Sequence, residues 1–189
     1  MSFRISSQSF YQVNAVQTEL LYNKAIEFAQ LSEEQTLIDA YCGTGTIGLV
    51  AAKRGAQRVI GVESVAQAVL DARQNARHNG ITNAEFVCDD ATNFMHKIAS
   101  GDYVLDVDNT VLMMDPPRAG STPEFIQSVA RAGIARVVYV SCDPSTQVRD
   151  IALFQKQGYV LHLVQPVDMF PHTKHVETVA LLSRVGQTS

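Results

Sequence analysis

Between Thr36 and Gln157 short, near-continuous apolar runs alternate five times with stretches of helical periodicity. Strands that are apolar on both faces and separated by helices belong to a parallel sheet, because the returning helices cover both of its sides. The pattern predicts strands at Thr36 to Tyr41, Arg58 to Glu63, Glu85 to Cys88, Val111 to Asp115 and Arg136 to Ser141. Helices are expected at Thr46 to Arg54, Val65 to Asn79, Thr92 to Ser100, Pro123 to Ala132 and Ser145 to Gln157. The alternation then stops. Tyr159 to Val167 and His175 to Val185 read as two strands with no helix between them, hence an antiparallel hairpin at the sheet edge. Ahead of the first strand, Val16, Leu20, Leu21, Ala25, Phe28 and Leu31 follow helical spacing, with Asn14 as a cap.

At 189 residues and 46% hydrophobic content, one domain with a full core is expected, without disulfides or metal to hold it. Residues 1–35 read as a helical lead-in and 36–185 as a Rossmann-like α/β core, the opening Met-Ser-Phe-Arg-Ile-Ser being a cut edge. Three cysteines leave an odd thiol under any pairing and no signal peptide precedes them, which predicts a reducing, cytoplasmic setting. No apolar run reaches the roughly 20 residues of a membrane span, so no membrane partner is expected. The net charge of -4 counts against strong nucleic-acid binding by these residues alone, since phosphate neutralisation supplies much of that affinity.

Asp39-Ala-Tyr-Cys-Gly-Thr-Gly-Thr-Ile-Gly48 joins the first strand to the next helix, where glycines let backbone approach a ligand at the carboxyl end of a sheet. Gly43, Gly45 and Gly48 satisfy G-x-G-x-x-G, which NAD and S-adenosylmethionine sites share. Glu63, 20 residues beyond Gly43, is placed for ribose hydroxyls in either case. Asp115-Pro-Pro-Arg118 ends the fourth strand beside this loop; its rigid turn suits a site that fixes a planar base, or is an ordinary strand-to-helix connection.

Cys142 follows the fifth strand and precedes a helix, whose N-terminus favours an anionic sulfur, with Arg118 as a candidate cation. Cys42 and Cys88 read instead as small buried hydrophobes, the usual state of a free cysteine. His172, His175 and Glu177 could be taken for a metal cluster, but a strand would leave His172 in the turn, so no metal is expected. Glu177 reads as a base, with a structural ion pair as the alternative.

Phe10-Tyr-Gln-Val-Asn14, Asp39 to Gly45, Asp115-Pro-Pro-Arg-Ala-Gly120, Val138-Tyr-Val-Ser-Cys-Asp-Pro144 and Asp168 to Glu177 occur in this order. In these motifs the chain resembles the RNA (uracil-5-)-methyltransferases, over nearly its whole length. The resemblance implies the class I S-adenosylmethionine-dependent methyltransferase fold, whose five βα units end in such a hairpin. It also implies that Gln12, Tyr41, Thr46, Glu63, Asp90 and Asp115, with Gly43 and Gly45, form the S-adenosylmethionine site. Cys142 would be the nucleophile and Glu177 the base, with Pro116 and Arg118 at the substrate. The implied substrate is a flipped-out uracil in RNA, ribosomal ahead of transfer RNA, with no obligate protein partner. Family members carry RNA-binding domains ahead of the matched region, which are absent from these residues. An amino methyltransferase remains as an alternative, although there an aromatic residue usually follows Asp-Pro-Pro, as does a noncatalytic cofactor-binding remnant.

Overall fold

A computed structural model describes residues 1, 3, 14–169, 173 and 176–184. Its elements run α1 (Ala15–Ala29), β1 (Thr36–Ala40), α2 (Thr46–Lys53), β2 (Arg58–Glu63), α3 (Ala66–His78), β3 (Ala84–Cys88) and α4 (Ala91–Ser100). They continue as β4 (Thr110–Met114), α5 (Pro123–Ala132), β5 (Arg136–Ser141), α6 (Pro144–Lys156), β6 (Tyr159–Val167) and β7 (Glu177–Arg184). The boundaries follow from local chemistry. Side-chain oxygens of Asn14, Asp90, Thr122 and Asp143 accept backbone N–H bonds at the starts of α1, α4, α5 and α6, satisfying donors that a helix leaves open.

The strands form one seven-stranded sheet in the order β3-β2-β1-β4-β5-β7-β6. The first five pair in parallel, and β7 pairs antiparallel with both β5 and β6. This is the expected α/β class, mostly parallel with a C-terminal antiparallel hairpin. The hairpin folds back so that its second strand takes the inner place and β6 becomes the edge. β1 and β4 are buried at every position, as strands covered on both faces must be.

Helices pack on both sides. Phe94, Met95, Phe125, Val129 and Phe154 cover one face of the sheet, over Ile60, Leu112 and Tyr139. On the other, Leu21, Ala25, Phe28 and Ala29 of α1 join Val138, Val140 and Val179, so that α1 is packed into the core. The Asn14 side chain also donates to the Met169 carbonyl (3.1 Å), tying the start of α1 to the chain just past β6.

From β1 the chain winds outward one way through β2 and β3, then crosses to β4 and winds the other way. The carboxyl ends of β1 and β4 therefore diverge at a switch point, where open α/β sheets form their ligand crevice.

Candidate active site

On the β1 side of the crevice, the loop after β1 turns sharply. Tyr41, Gly43 and Gly45 have φ of 63°, 54° and 78°. The turn is closed by bonds from Cys42 N–H to the Val62 carbonyl (3.0 Å) and from Gly45 N–H to the Cys42 carbonyl (2.8 Å). Only glycine fits position 45, because a Cβ there would lie 2.6 Å from the Phe86 ring. At Gly43 a Cβ would meet nothing within 4 Å, so the loop faces open space.

Glu63, at the end of β2, accepts from Gly43 N–H (3.1 Å) and Val65 N–H (2.8 Å), joining the glycine loop to the start of α3. Asp90 is exposed and caps α4 through Thr92 N–H (2.8 Å) and Asn93 N–H (3.1 Å). Its charge reaches the half-buried Tyr41, whose phenol is held above its ordinary value first by burial. The Thr46 hydroxyl lies 3.3 Å from that of Thr44. Gln12 lies outside the described residues.

The second half of the crevice forms around Cys142. Arg118 is placed to stabilise a thiolate at Cys142, and the charges of Glu177 and Asp115 to oppose one. Burial, then the charges of Glu177 and Asp115, push the Cys142 thiol up, while Arg118 pulls it down. The expectation that the following helix would favour the anion needs correction. Asp143 already occupies that helix terminus, accepting from Ser145 N–H (2.9 Å).

Glu177 is buried at 4% exposure, and its carboxyl is raised by that burial and lowered by Arg118. Asp115 is half-buried and pushed up to about 8, by burial first and then by the charges of Glu177 and Asp39. Pro116 is buried beside it and Arg118 is exposed. Two strand ends and two loops thus bring Asp115, Arg118, Cys142 and Glu177 into one electrostatic unit.

The other two thiols divide. Cys42 is buried as expected, but Cys88, the last residue of β3, is exposed, although Phe86 two positions earlier on the same strand is buried. His172 and His175 lie outside the described residues; among those described, no cluster of three His, Cys, Asp or Glu could hold a metal.

Two groups of supporting residues escaped the sequence reading. Asp39, 1% exposed, accepts from Gly48 N–H (2.9 Å) and fixes the start of α2. Its carboxyl is pushed up to about 7 by burial, with the Gly48 bond opposing and the charge of Glu63 adding. On α6, Gln147 and Asp150 are buried polar residues in register with the apolar Ile151 and Phe154. Polar residues at core positions of a helix were the available signal.

A sheet of this order, with a glycine loop after its first strand, defines a Rossmann-like methyltransferase domain. The precorrin-6y C5,15-methyltransferase of Geobacter metallireducens shares this fold at TM-score 0.70 and 13% identity, over 97% of this chain and 94% of that one. The family profile described as tRNA (Uracil-5-)-methyltransferase matches residues 1–185, and the chain belongs to that family. An uncharacterised RNA methyltransferase of Streptococcus agalactiae is 50% identical over 182 residues, 96% of this chain and 39% of the relative. The Pyrococcus abyssi tRNA (uracil-54, C5)-methyltransferase, solved with S-adenosyl-L-homocysteine, matches at TM-score 0.79 and 35% identity, over 95% of this chain and 41% of that one. The chain thus spans about two fifths of the length of these family relatives. Among the described residues no helix is long and apolar enough to cross a membrane.

Proposed function

We propose that this chain carries the catalytic residues of an S-adenosylmethionine-dependent methyltransferase that acts on carbon 5 of a uracil in RNA. The observation that carries the reading is the convergence of Cys142, Glu177, Asp115 and Arg118 at the switch-point crevice. A nitrogen methyltransferase has no use for a thiol set against a buried carboxylate.

The glycine loop fits the cofactor. Gly43 opens onto free space, with Tyr41, Glu63 and Asp90 near the loop and Asp115 across the crevice. Gly45, Thr46 and Gln12 complete the proposed binding set. Crowded carboxyls at Asp39, Asp115 and Glu177 also favour a ligand bearing positive charge, which relieves their mutual repulsion. When bound, S-adenosylmethionine supplies an electrophilic methyl group.

The chain's own residues supply the rest. The Cys142 thiolate forms a bond to carbon 6 of the uracil, and the electron pair displaced from the 5,6 double bond makes carbon 5 nucleophilic. Arg118 offsets the repulsion that Glu177 and Asp115 exert on that thiolate. Once carbon 5 carries its methyl group, it also still carries its proton. Glu177 removes that proton, the pair re-forms the double bond, and the bond from sulfur to carbon 6 breaks. The raised affinity of the Glu177 carboxyl for a proton, caused by burial, suits a base in this step. Pro116 lines the substrate side, and a base drawn from a stack must be flipped out, which favours loops and single strands.

Denaturing gels with labelled RNA fragments of ribosomal and transfer type, at high concentration, test the reading. Glu177→Gln should trap a protein–RNA band that requires the cofactor, and Cys142→Ala should give none. If Cys142→Ala still forms 5-methyluridine near the wild-type rate, covalent catalysis is excluded.

A further inference from the structure

A buried polar cluster on α6 takes no part in the chemistry described above. Asp150 is fully buried, and its Oδ2 accepts from Ser121 N–H (2.7 Å) and from the Tyr139 hydroxyl (2.7 Å). Its Oδ1 accepts from Nε (2.9 Å) and Nη2 (2.8 Å) of Arg149. Arg149 Nη2 also faces the carbonyls of Ala119 (2.9 Å) and Ser121 (3.3 Å), and the Thr146 hydroxyl lies between the carbonyls of Asp143 (3.0 Å) and Arg118 (3.2 Å). Gly120 has φ of +77°, and a Cβ there would lie 2.6 Å from both Arg149 Nη2 and Asp150 Oδ2. The loop is therefore pressed directly onto the pair. A bond between the Ser121 and Tyr41 hydroxyls (3.1 Å) joins the same loop to the glycine side.

We infer that Asp150, with Arg149, is a positioning residue: the pair clamps the backbone of residues 118–121 so that the Arg118 guanidinium stays against Cys142 and Glu177. The inference rests on the reading of Cys142 as the nucleophile. Burying a carboxylate is unfavourable unless it is fully bonded, and it is weak as a stability device even then. Here every bond it accepts comes from the loop, from the core of β5, or from the arginine that also holds the loop.

The consequence is specific in sign. Among the described residues, the charges that act on the Cys142 thiol are Glu177 on β7, Asp115 after β4 and Arg118 on the loop, and Arg118 also faces the neighbouring Asp143. Asp150→Asn removes a negative charge, whose direct effect would be to make the thiolate easier to form. If the residue acts by holding Arg118, the effect reverses, because the guanidinium is released and the thiolate becomes harder to form.

The test is the pH dependence of iodoacetamide alkylation, followed at each cysteine of the 189-residue chain by mass spectrometry, with the exposed Cys88 as internal control. Arg118→Ala should move the Cys142 profile to higher pH. Asp150→Asn should move it the same way, slowing Cys142 alkylation at neutral pH by about threefold, which corresponds to about half a pKa unit. The double variant Arg118→Ala/Asp150→Asn should show no shift beyond that of Arg118→Ala. Cys88 should not change in any of them. Should Asp150→Asn fail to fold by circular dichroism, Arg149→Met removes the half-exposed member of the clamp and should shift Cys142 in the same direction. A profile that is unchanged or moves to lower pH in the folded variants, while Arg118→Ala raises it, overturns the clamp and leaves the nucleophile reading standing. If Arg118→Ala itself has no effect, the clamp has nothing to position and the electrostatic unit around Cys142 falls with it.

Discussion

The two halves of the crevice are built from different materials. On the β1 side the working surface is backbone: a turn held in left-handed conformations, closed by hydrogen bonds within itself and to Val62 of β2, and secured by Glu63 and Asp39. On the β5 side it is side chains, namely a thiol, a guanidinium and two carboxyls, delivered by three segments: the loop after β4, the end of β5 and the start of β7. A backbone site is part of the fold, so damage to it costs stability and binding together. A side-chain site stands on the fold, so its chemistry can be removed while the scaffold remains.

The strongest test of that distinction is Cys142→Ala. Methyl transfer should fall on the order of a thousandfold or more, since the other thiols, Cys42 and Cys88, lie away from the Cys142 cluster and the covalent bond is lost with it. Stability should move by no more than about 1 kcal/mol, as expected for a half-buried thiol outside the core. Product analysis and urea denaturation of the same sample read both quantities. A large loss of stability would erase the contrast between the halves.

The converse test is Gly45→Ala. Left-handed backbone and collision with the Phe86 ring together should cost about 3 kcal/mol, and cofactor affinity should fall with it. Gly43→Ala meets no neighbour, so its cost should stay near the ~1 kcal/mol of its backbone conformation alone. Thermal melts with and without S-adenosylhomocysteine separate the two. Equal losses would mean that the turn is not held against Phe86.

A smaller effect concerns pH. The folded-state carboxyl of Asp39 titrates near 7 instead of 3.8, so the folded chain holds a proton that the unfolded chain releases in between. The associated stability is complete below about pH 4 and is lost as pH rises through about 7, at ~1.4 kcal/mol for each pH unit crossed between the two values. Asp39→Asn should flatten that decline by a few kcal/mol across the window, measured by urea denaturation at several pH values. Asp115, titrating near 8, maintains the remaining slope. If the slope is unchanged in Asp39→Asn, the buried acid is not the source of the decline. The smallest effect is expected at Cys88→Ser, within about 0.5 kcal/mol and without change in activity, because the thiol is exposed at an edge strand.

The backbone half was legible in the sequence and much of the side-chain half was not. The glycine spacing of the turn, the Asn14 cap and the periods that separate strands from helices are set by residues close along the chain, although Val62, Glu63 and Phe86 hold the turn from other strands. Cys142 and Glu177 were visible as candidates, through their positions after the fifth strand and in the last one and through the ordered motifs of the family. Their electrostatic state was not. Whether Cys142 is a ready thiolate depends on Glu177 arriving from β7 and on Asp115 and Arg118 reaching it from the loop after β4, which strand order decides; the Asp143 cap beside it is local. The same holds for Cys88, exposed while Phe86 on the same strand is buried, and for Asp150, whose partners come from β5 and the 118–121 loop. Periodicity and turn chemistry are properties of neighbouring residues. Burial, proton affinity and hydrogen-bond partnership belong to positions in space, and only the packed sheet with its helices assigns those.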